Sequence, residues 1–505
     1  MSNKIYESVI NKSVGRSNFN LDCEKKLSGK FGYLYPVLLQ EIVPGDMFRV
    51  RSEIFVRMAP MLAPIMHRVD AYIHYFFVPN RIIWEDWEDF ITAESGGTPP
   101  TFPKHSATDE TGLGVGTVAD YFGLPVYESG TWNASLTVDI NKLPFWALWD
   151  IWNEYFRDQN LQTEVDYENA SFASLSTLPT RAWEKDYFTS SLPDSQKGAD
   201  LELALNINYL ATSDVKTTAG GSPALGADIV MNAVQADKLT ASGTGTVRVE
   251  NLDPATQQIT INELRRAVRL QEYYEDLMRG GTRYIEWLNV IFGVRSSDAR
   301  LQRPEYLGGM QVPIQVSTVY DQSGTATGAV VAEPAGVGLG AGEEHGFQEQ
   351  FEEHGHVIAL LSVKPRTAYM QGKERLWDRF EPLDYYIPHL AHIGEQEVLN
   401  QEVWMDYTDG TIHTDKDGTF GYQQRNAEYK YNKDTVHGDF RTSLEFWHLA
   451  RKFDSLPSLN AEFIRSNTAS DRIFAVQDGT DYLWINIYHN IDAVRPMPYF
   501  SDPNL

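Results

Sequence analysis

The chain has 505 residues, 42% of them apolar and 12% aromatic, with 43 basic against 69 acidic side chains and a formal charge of −26. This composition excludes a disordered chain and a chain basic over its whole surface, so any nucleic-acid contact must be local or helped by a basic partner. The single cysteine, Cys23, excludes an internal disulfide and a cysteine-cluster zinc site, and suits a reducing compartment.

The first 30 residues stand apart from the rest. Lys4, Lys12, Arg16, Lys25, Lys26 and Lys30 face only Glu7, Asp22 and Glu24, so the segment is locally positive. It reads either as a solvated terminus or as a basic arm that touches phosphate. The start, MSNKIYESVINKSVGRSN, carries no apolar run that would mark a secretory leader. No stretch approaches the ~18 apolar residues of a membrane span, so no membrane insertion is expected.

Strand signals follow. Over Met47–Met58, Phe48, Val50, Ile54, Val56 and Met58 alternate with Arg49, Arg51, Glu53 and Arg57, the period of a half-buried strand. Val69–Val78 is apolar on both faces and suits a central strand stopped by Pro79-Asn80. Helical spacing then appears three times. Trp84, Trp87, Phe90 and Ile91 form one short apolar face, and Phe145 to Phe156 forms a stronger one. The third runs over Asn262–Met278, opening with a Thr260-x-x-Glu263 capping box and closing at Gly280-Gly281.

Residues 210–272 contain no aromatic, and Ala211–Val247 is mainly Ala, Gly, Thr, Ser and Val. Such a segment has no heavy core of its own. It reads as a variable loop or an exposed excursion, in which Val215, Thr217, Val230, Val234, Thr246 and Val247 suit short strands. Gln322–Gly346, with seven glycines, reads as a second such break. Strand patterns return over Val357–Val363, Leu383–Ile387, Phe420–Tyr431 and Leu483–Val494. Strands at both ends, with helices in long connections and no βαβ alternation, predict a mainly β antiparallel sandwich.

No catalytic constellation emerges. The glycines at 336, 338, 340 and 342 lack phosphate-loop spacing, and no nucleophile elbow or H-E-x-x-H is present. His354-Gly-His356 puts two imidazoles on one face of a predicted strand, as in a cupin metal site, but no carboxylate follows at cupin spacing. Asp415-x-Asp417-Gly418 fails the calcium-loop register, since position 12 would be Gln424. The residues therefore predict no catalytic, cofactor or metal site. They describe an acidic, aromatic-rich structural or interaction protein, or an enzyme whose site is not legible.

Several phrases narrow this. YFFVPNRIIWEDWEDFI (75–91), IWNEYFRDQNL (151–161), DYFTSSLPDSQKG (186–198) and RGGTRYIEWLNVIFGVRSSDARLQRPEYLGG (279–309) recur in order with FEEHGHVIALLSVKPRTAYMQG (351–372), HIGEQEVLNQE (392–402), FGYQQRNAEYKY (420–431), SLPSLNAEFI (455–464) and VRPMPYF (494–500). In these the chain resembles the major capsid proteins of the gokushoviruses, single-stranded-DNA phages of the Microviridae, over nearly its whole length; only 201–256 departs.

The resemblance implies an eight-stranded antiparallel viral jelly roll with large helix- and loop-containing insertions, one domain over 1–505. It places a basic arm at 1–30, a helical and loop insertion at 80–200, and a protrusion near the three-fold axes at 201–256. It implies a T=1 shell of sixty copies around circular single-stranded DNA, with a small basic companion protein, other virion proteins and a host receptor as partners. The virion, assembled in the bacterial cytoplasm, is then its location. On that basis Lys4, Lys12, Arg16, Lys25, Lys26 and Lys30 are expected to face DNA, and Ile229, Val230, Met231 and Val234 to group at the protrusion. A carbohydrate-active or cupin-like β enzyme is the alternative; the size of the purified assembly separates the two.

Overall fold

A computed structural model of the chain describes residues 15–92, 100–127, 130, 132–133, 137–198, 215–217, 247–249, 261–280, 283–320, 334–405, 415–468, 471–475 and 479–500. The strands, in chain order, are β1 Ser17–Asn20, β2 Cys23–Gly29, β3 Tyr35–Ile42, β4 Met47–Met58, β5 Val69–Pro79, β6 Lys104–Ala107, β7 Val138–Asn141, β8 Val215–Thr217, β9 Val247–Val249, β10 Glu305–Tyr320, β11 Pro334–Gln350, β12 Gly355–Pro365, β13 Glu395–Leu399, β14 Thr419–Gln424 and β15 Leu483–Arg495.

Eight of these strands form the jelly roll. One sheet has the order β2-β15-β4-β11 and the other β3-β12-β5-β10, with every pairing antiparallel. Successive strands mostly alternate between the sheets, as in the two Greek keys of this architecture. The long strand β10 joins the sheets: it pairs with β5 from Glu305 to Ile314, then with β11 from Gln315 to Tyr320. Strand β1 extends the first sheet by pairing with the end of β15.

The side-chain period explains the core. In β4, Phe48, Val50, Ile54, Val56 and Met58 are buried while Arg49, Arg51, Glu53 and Arg57 face out. In β15, Leu483, Ile485, Ile487 and Ile491 point the same way. Opposite them lie Val69, Ala71, Ile73 and Tyr75 of β5 and Val357, Ala359, Leu361 and Val363 of β12. Strand β12 is buried at all eleven positions, because its second face is covered too. There Ile358 and Leu360, with Phe76 and Val78 of β5, pack against the helical layer.

That layer comes from the β5–β10 connection. It contains α1 Asn80–Ile83, α2 Trp87–Thr92, α3 Val118–Tyr121, α4 Leu143–Ile151 and α5 Phe172–Leu175, with a π-helical turn Trp152–Phe156 continuing α4. Phe145, Trp146, Leu148, Trp149 and Trp152 are buried within it. The indole nitrogens of Trp149 and Trp152 donate to the Leu175 and Thr180 carbonyls, both at 2.9 Å, so these large rings lose no hydrogen bond on burial. Trp84 is buried and Trp87 half-buried, but the expected single helix is two. Trp84 takes an extended conformation between α1 and α2. The connection ends with α6 Ile261–Gly280, which closes at the predicted glycine, and α7 Tyr284–Phe292.

Residues Gln196–Leu277 form a separate compact unit. Within it β8 and β9 pair antiparallel, Val215 opposite Val249 and Thr217 opposite Val247, and most of α6 belongs to it.

Three sequence expectations are corrected. The glycine run at 336–342 is strand, not a break. Its glycines fall on alternate residues of β11 and so share one face, and neighbours fill the space they leave. A Cβ at Gly338 would lie 2.5 Å from Met58 Sδ, and one at Gly342 2.6 Å from Val312 Cγ2. Leu383–Ile387 is no strand; Pro382–Asp384 and Pro388–Leu390 form 3₁₀ turns, since both prolines lack the amide a ladder needs. The strand expected over Phe420–Tyr431 stops at Gln424, beyond which Asn426 has φ 59°.

A buried polar thread crosses the core between the sheets. Tyr75 of β5 donates its hydroxyl to Ser52 Oγ of β4 at 2.5 Å. Ser52 bonds His489 Nδ1 of β15 at 2.7 Å, and His489 Nε2 meets the Val37 carbonyl of β3 at 3.2 Å. The final strand is also clamped at its end. Arg495 Nη2 lies 2.8 Å from Asp46 Oδ2, and the fully buried Asp46 carboxylate accepts the Val43 amide of the β3–β4 turn at 2.8 Å.

These contacts set stability. Ser52→Ala leaves the Tyr75 hydroxyl and His489 Nδ1 without their partner and should cost about 1–3 kcal/mol in a urea titration. Arg495→Ala strands the Asp46 charge and should cost more, about 3–5 kcal/mol. Burial pushes His489 and His356 each down to about 4. Folded, they stay neutral while the unfolded chain takes up protons below its own histidine pKa of about 6.5. Stability should therefore be complete above that value and fall as pH drops from about 6.5 towards 4, and His489→Gln should flatten the slope.

Candidate functional site

The described basic N-terminal residues take separate places in the fold. Lys4 and Lys12 lie outside the described residues. Arg16 is exposed just ahead of β1. Lys25 is turned into the fold, its Nζ donating to the Pro36 carbonyl at 3.0 Å and to that of Tyr121. Burial pushes it down to about 8. Lys26 pairs with Glu24 at 2.9 Å on the open face of the sheet, and Lys30 Nζ donates to the Gly479 carbonyl at 2.6 Å. Residues 17–29 are thus built into the sheet as β1 and β2. Ile229, Val230, Met231 and Val234 lie outside the described residues.

The motifs weighed for chemistry take structural places. His354 precedes β12 rather than sharing its face with His356, and its ring meets that of Trp87 at 5.7 Å. His356 is buried in the sheet. Asp415 accepts from Asn400 Nδ2 at 3.1 Å and its carbonyl closes a turn to the Gly418 amide. Among the described residues no three His, Cys, Asp or Glu side chains are grouped to hold a metal, and no helix is long and apolar enough to cross a membrane. Buried titratable groups elsewhere serve packing: Asp150 in α4 is pushed up to about 7 by burial, the neighbouring Glu154 charge adding to the effect.

The surface is more informative. The segment 375–393, read from sequence as holding a strand, is a strap of turns carrying large apolar side chains into solvent. Phe380 is 83% and Trp377 67% exposed, and Leu376, Leu383, Tyr385 and Tyr386 are exposed beside them. The strap is fixed rather than loose. Arg379 lies 4.1 Å from the centre of the Tyr429 ring and 3.2 Å from Glu428 Oε1. Asp384 Oδ2 accepts the amides of Phe380 and Glu381 at 2.9 and 2.7 Å. Exposed large apolar side chains held in place in this way suit a protein–protein contact. The strap's rings could have been counted in the sequence, but their exposure could not.

Comparison with known proteins agrees with a contact role. The chain matches the family described as capsid protein (F protein) over residues 8–505. It is similar to the capsid protein VP1 of Chlamydia phage 1, 32% identical with 100% of this chain and 98% of the relative covered. It is 34% identical to the capsid protein VP1 of Bdellovibrio phage phiMH2K, covering 97% and 95%. With the capsid protein VP1 of Spiroplasma virus 4 it shares 30% identity, covering 97% and 96%.

The strap gives a direct test. Trp377→Ser with Phe380→Ser removes exposed rings whose loss leaves the core intact, so the purified subunit should keep its melting temperature within a few degrees. Self-association, followed by sedimentation, should weaken at least 10-fold.

Proposed function

Since the chain belongs to the phage capsid protein (F protein) family and builds the shell of the virion, we propose that sixty copies close into a T=1 icosahedron around circular single-stranded DNA. The observation that carries this reading is the fixed strap at 375–393, which holds large apolar side chains such as Phe380 and Trp377 in solvent. A folded subunit that holds such a surface rigidly in water gains by covering it, and closed symmetry covers it on every copy.

The charge of −26 supports a second part of the proposal. Packed acidic subunits and packaged phosphate repel, so a small basic companion protein accompanies the genome. Lys4, Lys12, Arg16, Lys26 and Lys30 add phosphate contacts, with Arg16 and Lys26 the most exposed of the described ones; Lys25 is spent within the fold. The 201–256 segment serves as the host-facing excursion at the three-fold axes, where Ile229, Val230, Met231 and Val234 group with their symmetry mates and a host receptor docks. Assembly takes place in the bacterial cytoplasm.

Two measurements test this. Expressed and purified, the protein should sediment as a particle of about sixty subunits and protect single-stranded DNA from nuclease. A monomer or dimer under all conditions would defeat the proposal. Replacing residues 212–246 by a short Gly-Ser link should leave particles that assemble but attach poorly to host cells. Loss of all soluble subunit would instead assign the segment to the core.

A further inference from the structure

The outer face of the β2-β15-β4-β11 sheet is mostly charged and polar, but one end of it is not. Arg57 of β4 stands between Trp484 of β15 and Leu339 of β11. Phe55 comes next along β4 on the same face. Trp484 is 46%, Leu339 41% and Phe55 39% exposed. The Arg57 guanidinium lies 5.7 Å from the centre of the Phe55 ring. A hollow of about 550 Å³ opens between Phe55, Arg57, Trp484 and Asn486, and Lys26, on the edge strand β2, lies at its margin. In the row beyond Phe55, Glu53 and Glu343 stand opposite each other and bound the patch.

Strand register holds this patch in solvent. Ile54, Val56 and Met58 already fill the inner face of β4, so the residues between them can only point out. Among the described residues no carboxylate lies within ion-pairing distance of Arg57. Lys26, by contrast, is paired with Glu24. An occupant that fits brings apolar rings for Trp484, Leu339 and Phe55 and one carboxylate for Arg57.

The strap at 375–393 has that make-up. Trp377 and Phe380 stand in solvent, and the exposed Glu381 follows directly. The other charges of the strap are committed within the subunit. Arg375 is paired with Glu402, Asp378 with Lys373 and Arg379 with Glu428, and Asp384 accepts two amides. Among the described residues Glu381 has no cation within ion-pairing distance. The free charge of the strap is thus opposite in sign to the free charge of the patch.

We propose that the strap of one copy seats on this end of the sheet in a second copy, Glu381 meeting Arg57 while Trp377 and Phe380 cover Trp484, Leu339 and Phe55. The proposal rests on the reading that the strap is a self-association surface, and it names what the strap covers. Strap and patch are different surfaces, so each copy gives one and receives one. Such heterologous contacts close into rings when the rotation allows, and one kind of contact then covers both apolar surfaces on every copy.

The test uses the full-length chain. Arg57→Glu should weaken self-association, followed by sedimentation, about 10-fold, and Arg57→Glu with Glu381→Arg should restore most of it, since the charges are exchanged across one contact. Added to Trp377→Ser with Phe380→Ser, Arg57→Glu should weaken it little further, because all three changes strike the same contact. Trp484→p-benzoylphenylalanine, irradiated in an equal mixture of heavy- and light-nitrogen chains, should crosslink to residues 375–393 of the other copy. That ring replaces one already in solvent, so the crosslink stays informative should a charge variant fail to fold. Additive losses, a folded charge exchange that restores nothing, or crosslinks to nucleic acid, to another segment or to no second copy overturn the contact. Particle size is measured separately. Closed shells whose Trp484 crosslinks miss the strap reject this contact and keep the shell. Strap crosslinks in a chain that stops at dimers or small rings reject the shell and keep the contact.

Discussion

Everything in the subunit depends on burying both faces of one sheet. Strand β12 is enclosed along its whole length. Val357, Ala359, Leu361 and Val363 face the second sheet, and Ile358 and Leu360 face the helical layer. A strand apolar on both faces cannot stand at a surface. The β5–β10 connection therefore has to supply a cover rich in Trp and Phe, and the jelly roll and its insertion are obligatory partners. The other sheet needs no such cover: β4 and β15 carry charged and polar residues on their outer faces.

Within this frame the few buried polar groups are directional. The Tyr75–Ser52–His489 thread ties β5, β4 and β15 through side chains and reaches β3 through the Val37 carbonyl. Apolar packing alone tolerates sliding of one sheet over another; fixed donors and acceptors in the core do not. The Asp46–Arg495 pair does the same at the rim, holding the last strand to the β3–β4 turn. A shell subunit must present its contact surfaces in one geometry, and these ties keep the two sheets in register.

Charge is distributed with equal economy. An acidic excess of this size favours solubility and opposes association of like-charged copies. Cations are drawn into particular places: Lys25 against the Pro36 and Tyr121 carbonyls, Arg379 over Tyr429, and Arg181 over Tyr72. The sum over the chain therefore misleads about any one place on it.

The sequence by itself determined the elements whose signal is periodic. Met47–Met58 and Leu483–Val494 alternate, Val69–Val78 is apolar throughout, and Phe145–Phe156 repeats at helical spacing; each lies within one stretch of chain, so local pattern sufficed. Together with the phrases shared with the phage capsid proteins, they settled the fold class and the shell role. Strand β11 escaped because the volume its glycines leave is filled by Met58 and Val312, residues remote in sequence. The aromatics of 375–393 resembled buried strand because nothing in their pattern records solvent. The setting of Arg181 was illegible for the same reason: it lies over Tyr72 and donates to Ser362, both remote from it in sequence. Tertiary structure alone decided which cations converge, which rings stay exposed and which histidines are shut away. Those properties depend on distances between residues far apart in the chain, and a linear pattern carries no such distances.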